Sequence, residues 1–270
     1  MQLHLSKQKQ FCMKSRILLI LVILGFASCS PTYYVPNNVN VPLFKKKGET
    51  LAQAHIGSAE EFNLAGVNFA HAIGRNTALM LNASNFRTNS TFEADNTIIE
   101  NNLNYNPKNR AFMAEIGAGF FKPFGNDSIF IFETYAGYGL YSMNRVLNTH
   151  QSVAYNIHRP FIQPSIGIRY KIVEVSYGLR MSVLFFSNQR PSTAFKENAI
   201  TMVNFENWDK VFNFDNSLAV GVGSERIKVQ FQWVYNPLIN ILNDSSNILN
   251  SSVAEVNRIS NINIGLKFRF

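Results

Sequence analysis

Several features are scarce or missing in this chain. It has two cysteines, Cys12 and Cys29, and charged residues make up 16% of its 270 residues. The N-terminal apolar run, Ile17 to Phe26, is too short to cross a bilayer comfortably as a helix. No Gly-Xaa-Ser-Xaa-Gly element or phosphate-binding loop occurs. These absences argue against a disulfide framework, a helical membrane protein, and nucleotide-binding or serine-hydrolase chemistry.

The N-terminus has the composition of an export signal. A basic segment and a short apolar core are followed by the small residues Ala27 and Ser28. We therefore expect residues 1–28 to be a removable leader. Small residues directly before Cys29 resemble a bacterial lipobox, which implies that Cys29 is lipidated and begins the mature chain. Cleavage by the ordinary signal peptidase is the alternative.

Charge is modest once the leader is removed. The whole chain has 25 Lys and Arg, 17 Asp and Glu, and a formal net charge of +8. The leader contains four bases and no acids, so the mature chain has +8 less 4, or +4. These charges are scattered, without a basic stripe interleaved with aromatics, and we expect no nucleic-acid partner.

The C-terminal tail alternates strictly between apolar and polar residues. From Asn261 onward every even position is apolar, and the chain ends on Phe270. This period of two predicts a strand with a different environment on each face. A last strand ending at a terminal Phe resembles the closing strand of outer-membrane β-barrels. That resemblance implies outer-membrane lipid and the barrel-assembly machinery as partners.

The remaining sequence predicts one all-β domain. A Pro-containing segment without periodicity, residues 29–48, is interpreted as an extended periplasmic tether. Residues 49–270 contain ten strand candidates joined alternately by short turns and, with one exception, long polar loops. This is the pattern of a closed antiparallel up-and-down transmembrane β-barrel. The candidates are 50–58, 61–73, 76–87, 109–123, 128–145, 159–172, 173–187, 211–223, 225–236 and 257–270.

The composition of the two strand faces predicts which one meets lipid. The polar face collects glycines, which an exposed soluble surface rarely does but a narrow lumen requires. The other face is bulky, and Trp233 and Tyr235 fall near a strand end, where an aromatic girdle lies. We therefore expect the bulky face to point outward. The alternative is a lipid-anchored soluble β-barrel that binds a small hydrophobic ligand inside.

The polar face contains charges of both signs. Counting from the short turns puts Arg180 and Asp215 at one level and makes Glu133 a neighbour of Arg169. Because an isolated buried charge costs several kcal/mol, we expect these groups to be paired across the lumen. A narrow solute channel with a charged constriction is the alternative. The predicted lumenal charge network consists of Glu115, Glu133, Arg169, Glu174, Arg180, Asp215, Lys228 and Lys267.

The sequence predicts no catalytic residues, cofactor or metal. Ten-stranded outer-membrane proteases of the omptin kind exist, but no Asp-Asp or Asp-His signature of theirs is present. His150 and His158 flank one predicted loop, with a spacing that is unspecific for metal. A surface hydrolase stays an alternative from another class.

The start of the mature chain carries a second resemblance. Residues 30–44, Ser-Pro-Thr-Tyr-Tyr-Val-Pro-Asn-Asn-Val-Asn-Val-Pro-Leu-Phe, follow the lipobox-like Cys29 and resemble uncharacterised Bacteroidota outer-membrane lipoproteins. The resemblance implies a cell outer membrane location, both lipid-anchored and membrane-spanning. We expect a structural or surface-interaction role through outer loops near 88–108, 146–158, 188–210 and 237–256.

Overall fold

Ten strands form a closed antiparallel barrel in which β1 pairs with β10 and every other pair is adjacent in sequence. The predicted closed antiparallel up-and-down β-barrel of ten strands is therefore confirmed. The computed structural model describes residues 34–59, 62–88, 109–146, 152–192, 210–237 and 258–270, and among them no helix is long and apolar enough to span a bilayer. The strands are β1 Thr50–Ala59, β2 Phe62–His71, β3 Thr77–Thr88, β4 Arg110–Phe124, β5 Phe130–Val146, β6 Ser152–Tyr170, β7 Val173–Pro191, β8 Lys210–Gly223, β9 Ile227–Pro237 and β10 Arg258–Arg269.

The two ends of the barrel differ. Short turns join β2 to β3, β4 to β5, β6 to β7 and β8 to β9 at what we call the short-turn end. Here the first and last strands meet, and the backbones of Thr50 and Phe270 exchange hydrogen bonds of 3.1 and 3.0 Å. At the opposite end, the loop end, most of the predicted outer loops near 88–108, 188–210 and 237–256 lie outside the described residues, as do residues 147–151 of the loop near 146–158. The leader and Cys29 also lie outside them.

Strand β6 is longer than the sequence predicts. The pattern placed its start at residue 159, and the structure begins it at Ser152, so much of the predicted loop 146–158 belongs to the strand. Pro160 and Pro164 lie within the strand, although proline removes a ladder hydrogen bond. Pairing with β5 continues through both prolines, while pairing with β7 lapses beside each of them. The barrel tolerates the prolines because only one of the two ladders is interrupted.

The apolar face of the wall points outward. Ile262 and Phe231 are 52% and 51% exposed, whereas Arg180 and Lys267 are 0% and 4% exposed. We call the continuous belt of outward apolar side chains the outer band. On β5 it extends from Phe130 to Leu140. At about 3.3 Å per residue and a strand tilt of about 40°, this length corresponds to a belt about 25 Å tall.

The lumen is occupied by a part of the chain that precedes the first strand. Residues 34–44, which we call the plug, are buried throughout and have no regular secondary structure. This departs from the sequence interpretation, which put these residues outside the barrel in a tether. They are buried because the inward glycines of the wall leave room for them. A Cβ on Gly167 would lie 2.6 Å from Cδ2 of Leu43, and one on Gly178 would lie 3.2 Å from Val39.

Candidate functional site

The plug is held through its backbone by side chains of the wall. Gln232 on β9 imitates a neighbouring strand: its Oε1 accepts from the Val39 amide at 3.1 Å and its Nε2 donates to the Val39 carbonyl at 2.8 Å. Gln163 on β6 donates to the Asn40 carbonyl at 2.7 Å. Tyr141 on β5 donates to the Val35 carbonyl at 3.1 Å. Satisfying buried backbone groups in this way allows an irregular segment to lie inside the barrel.

Four buried charges surround the middle of the plug. We call Glu115, Arg159, Arg180 and Asp215 the central cluster. Arg180 pairs with Glu115 at 3.1 Å, and Arg159 pairs with Asp215 at 3.3 Å and also with Glu115. The two acids and two bases balance in formal charge. Because each ion has at least one opposite partner, the desolvation cost of burying them is offset by their mutual attraction.

Asn37 of the plug lies at the centre of this cluster. Its Oδ1 accepts from Arg159 Nη2 at 2.9 Å and from Arg180 Nη1 at 2.8 Å. Its Nδ2 donates to Glu115 Oε2 at 3.0 Å. One amide therefore complements both signs of charge, which no hydrophobic side chain of similar size would do.

Tyr34 marks the loop-end side of the plug. Its hydroxyl donates to Asp215 Oδ2 at 3.0 Å and accepts from Arg159, whose guanidinium lies 5.4 Å from the ring centroid. Its ring contacts Tyr141 at a centroid distance of 5.8 Å. On this side Tyr34 belongs to a buried apolar cluster that includes Phe86 and Met143.

A second group of charges lies nearer the short-turn end. We call it the lower cluster. Glu174 accepts from Lys267 at 3.1 Å and from Arg269 at 3.0 Å. The cluster has three bases and two acids, and plug carbonyls take the excess donors: Arg269 donates to Pro42 at 2.9 Å and Arg169 donates to Leu43 at 3.1 Å. The lower cluster consists of Glu49, Arg169, Glu174, Lys267 and Arg269.

The short-turn opening of the lumen is basic as well. Burial and the nearby positive charge of Arg169 lower the pKa of Lys45, which follows the plug directly. Its ammonium donates to the Asp127 carbonyl at 3.4 Å, and its amide donates to Glu49 at 3.1 Å. These contacts fix the chain where it leaves the lumen to begin β1.

The structure places all eight predicted network residues on the inward face, but it pairs them differently from the prediction. Arg180 and Asp215 are register partners on β7 and β8, yet Arg180 forms its ion pair with Glu115 on β4. The predicted neighbours Glu133 and Arg169 do not pair: Glu133 accepts from the Phe44 amide at 2.8 Å, and Arg169 pairs with Glu49 at 2.9 Å.

Lys228 forms no ion pair among the described residues. Its ammonium donates to the Lys171 carbonyl at 2.9 Å, at the turn between β6 and β7. Lys228 therefore lies at the edge of the predicted network, where it closes a turn, and is not part of either cluster.

At the level of sequence, two charged residues of the clusters, Arg159 and Glu49, were missed, and so was the plug residue Asn37. Arg159 continues the odd-numbered inward phase of β6, but the predicted strand began at this residue and treated it as a boundary. Asn37 was assigned to the tether, and Glu49 was placed in the barrel domain just before the first predicted strand. The signal for Arg159 was the period of two extended across Pro160. Nothing in the local sequence of Asn37 signalled its burial.

The histidines that the structure describes after the leader lie apart from one another. His55 faces the lumen, His71 bonds with Thr50 at 2.8 Å, and His158 faces outward beside Tyr138 at 2.6 Å. His150 is outside the described residues. Within the residues that the structure describes, no group of His, Cys, Asp and Glu is arranged to hold a metal ion.

Comparison with known proteins finds likeness only at the level of structure. No family model matches the sequence, and no curated protein matches it. The outer membrane protease OmpT from Escherichia coli is similar with a TM-score of 0.45 and 11% identity, covering 83% of this chain and 97% of that one. The translocator domain of autotransporter NalP from Neisseria meningitidis is similar with a TM-score of 0.39 and 14% identity, covering 98% of this chain and 97% of that one. The KdgM porin is similar with a TM-score of 0.37 and 8% identity, covering 82% of this chain and 99% of that one.

Proposed function

We propose that this protein is an outer-membrane β-barrel whose lumen is closed by its own plug and whose role is structural or surface-interactive. The observation that carries the proposal is the plug. It occupies the middle of the barrel and is bonded to side chains from most of the surrounding strands, including Asn68, Glu115, Arg180 and Gln232. A barrel closed in this way presents a rigid wall and its loops, not a passage.

The outer band supports the membrane location. A belt about 25 Å tall matches the hydrocarbon thickness that transmembrane barrels cover. A soluble barrel that binds a hydrophobic ligand requires the reverse arrangement, with the bulky apolar side chains inside. Here Asn82, Gln163 and Asp215 face inward and are each 0% exposed. The polar wall gives such a ligand no apolar site in the middle of the lumen.

Export and assembly follow from the two chain ends. The leader, residues 1–28, directs the chain across the inner membrane, and lipidation of Cys29 adds a second, weaker anchor. The closing strand β10, with Phe270 exposed at the short-turn end, is the segment that the barrel-assembly machinery recognises. In this proposal the short-turn end faces the periplasm and the loop end faces the medium.

Conductance across a planar bilayer tests the closed lumen. The full mature chain should give no resolved channel events, and a chain lacking residues 34–44 should conduct, because the polar middle of the lumen loses the segment that fills it. A matched control replaces the exposed Lys46 and Lys47 by Gln, which leaves the plug in place and should stay silent. Open events from the intact protein would refute the closed-barrel role. Recovery of the protein outside the outer-membrane fraction would refute the location.

A narrow solute channel stays the second candidate function, because the wall residues that hydrogen-bond to the plug are polar. Side chains such as Asn68, Asn82 and Gln163 would line an aqueous path if the plug were displaced. This candidate requires a condition under which the intact protein opens. Conductance that rises and falls reversibly with such a condition would favour it over the closed structural role.

A further inference from the structure

A polar row crosses the outside of the barrel just beyond the outer band at the loop end. Arg87 of β3 is opposite Arg110 of β4, which is opposite Asn144 of β5. Asn144 is opposite Ala154 of β6, and Ala154 is opposite Arg190 of β7. These five residues therefore lie side by side across five consecutive strands. On β4 the row lies two residues beyond Phe112, an exposed aromatic of the outer band.

A β-bulge places Arg190 on the outside. The even-numbered residues of β7 face the lumen up to Leu184. Between Asn156 and Ala154 of β6 the register with β7 shifts, and one extra residue is inserted near Asn188, which has a φ of 52°. The insertion reverses the alternation, so Arg190 faces outward although it is even-numbered. Bulges commonly re-aim side chains at functional positions.

The positive charge of this row has no partner in the described structure. Arg87 and Arg110 are directly opposite each other, an arrangement of like charges that destabilises a sheet unless an anion lies between them. Within the part of the chain that the structure describes, Arg87 donates to Asn85 at 3.3 Å. Among the residues that the structure describes, neither Arg110 nor Arg190 forms an ion pair.

The acids of the described chain lie elsewhere. They belong to the two lumenal clusters, to Glu133 beside the plug, or to the exposed turns of the short-turn end, where Asp127 and Glu225 are found. The outside of the loop end therefore has bases and no described acid. Within the described residues, the charge on the outside of the loop end is therefore of one sign, and an anion bound there would balance it.

Four residues of the row line a recess suited to such an anion: Arg110, Asn144, Ala154 and Arg190. A cavity of about 380 Å³ lies between Arg110 and Arg190 and is lined by Asn85, Asn144 and Asn156. The two arginines are three strand spacings apart, or about 14 Å at about 4.8 Å per spacing. The small side chain of Ala154 between them keeps the floor low. Guanidinium and amide groups converging from both sides are the donors that phosphate oxygens prefer.

We propose that this recess binds the phosphate-bearing head group of a glycolipid in the outer leaflet. This inference rests on the proposed outer-membrane location. A lipid fits better than free phosphate because Phe112 lines the same recess and continues into the outer band, where acyl chains would pack. The arginines then hold the head group while the apolar wall below contacts its chains.

Binding of a purified glycolipid to the full mature chain in detergent micelles tests the proposal. The probes are a phosphorylated glycolipid, the same lipid after removal of its phosphates, and inorganic phosphate. We expect the phosphorylated lipid to bind, the dephosphorylated lipid to bind at least about tenfold more weakly, and inorganic phosphate at millimolar concentration not to compete. Equal binding of the two lipids would refute a phosphate site, and efficient competition by inorganic phosphate would refute the lipid assignment.

Three single variants localise the site. Arg110→Gln and Arg190→Gln should each weaken binding of the phosphorylated lipid by about tenfold, because each removes a charge-assisted contact. Arg75→Gln, at an exposed turn of the opposite end, should bind as the unaltered chain does. Both recess arginines are exposed, so neither substitution should prevent folding. If only one variant keeps the electrophoretic mobility of the folded protein, that variant alone is enough for the test. Unchanged binding in both would refute the site, even with the protein in the outer-membrane fraction. Absence from that fraction would instead refute the proposed function.

Discussion

Replacing Asn37 by alanine should loosen the plug more than any other single truncation of one of its asparagines. The side chain contacts Arg159, Arg180 and Glu115, and its loss removes one hydrogen bond from each of these three charged groups. Asn38→Ala is a matched control. Asn38 is also buried in the plug, but it accepts one hydrogen bond, from neutral Asn68 at 3.0 Å.

The expected magnitudes follow from the partners. A hydrogen bond to a charged group contributes about 1.5–3 kcal/mol, and a neutral one about 1 kcal/mol. Three charged contacts are lost in Asn37→Ala, and water entering the lumen restores a part of them. We therefore expect a loss of about 3–5 kcal/mol in the free energy of unfolding for Asn37→Ala. The loss for Asn38→Ala should be about 1 kcal/mol.

Urea titration of the refolded barrel in lipid vesicles measures this difference, with the folded fraction read from electrophoretic mobility without heating. Conductance of the same samples gives a second readout, since a loosened plug should allow transient openings in Asn37→Ala and none in Asn38→Ala. Equal midpoints and equally silent bilayers for the two variants would refute the assignment of Asn37 as the junction of the central cluster.

Three further predictions concern the wall. Gly167→Ala should cost about 1–3 kcal/mol of unfolding free energy, because its new methyl lies 2.6 Å from a plug methyl group, whereas Gly221→Ala, with its nearest contact at 3.6 Å, should be tolerated. Glu174→Gln should cost about 3–5 kcal/mol, since it removes the shared acid of the lower cluster, and the exposed Glu225→Gln should cost nothing measurable. Leu218→Arg, in the middle of the outer band, should cost about 2–4 kcal/mol in lipid vesicles, and no loss there would refute a membrane-facing wall. Urea midpoints measure all three.

The alternation of the strands made the barrel predictable from sequence. A period of two determines which residues share a face of the strand. One face contains glycines and charged residues and the other contains bulky apolar residues, and this difference indicates which face points inward. Strand ends were less predictable. The sequence predicted that this strand starts at residue 159, but β6 begins at Ser152, and only its ladder with β7 is interrupted. The bulge near Asn188 could not be predicted from the sequence either, since it depends on a register shift between two strands.

The pairing inside the lumen was the least predictable part. Levels counted along neighbouring strands placed Arg180 beside Asp215 correctly. A lumen, however, also brings together strands that are not neighbours, and Arg180 reaches Glu115 from β7 to β4. The plug has no periodicity to signal burial, so its residues resembled a solvated linker. Its partners are set by the three-dimensional wall and not by local sequence.

The plug has a mechanical consequence. A filament inside a sealed ring of strands has no sideways exit, so it leaves only by sliding along the barrel axis. Tyr34 is packed in an apolar cluster at one end and Phe44 in another at the other end. Withdrawal in either direction requires one of these aromatic rings to pass the guanidiniums of the central cluster. Pulling on the chain should therefore meet its greatest resistance at the start, before any strand separates.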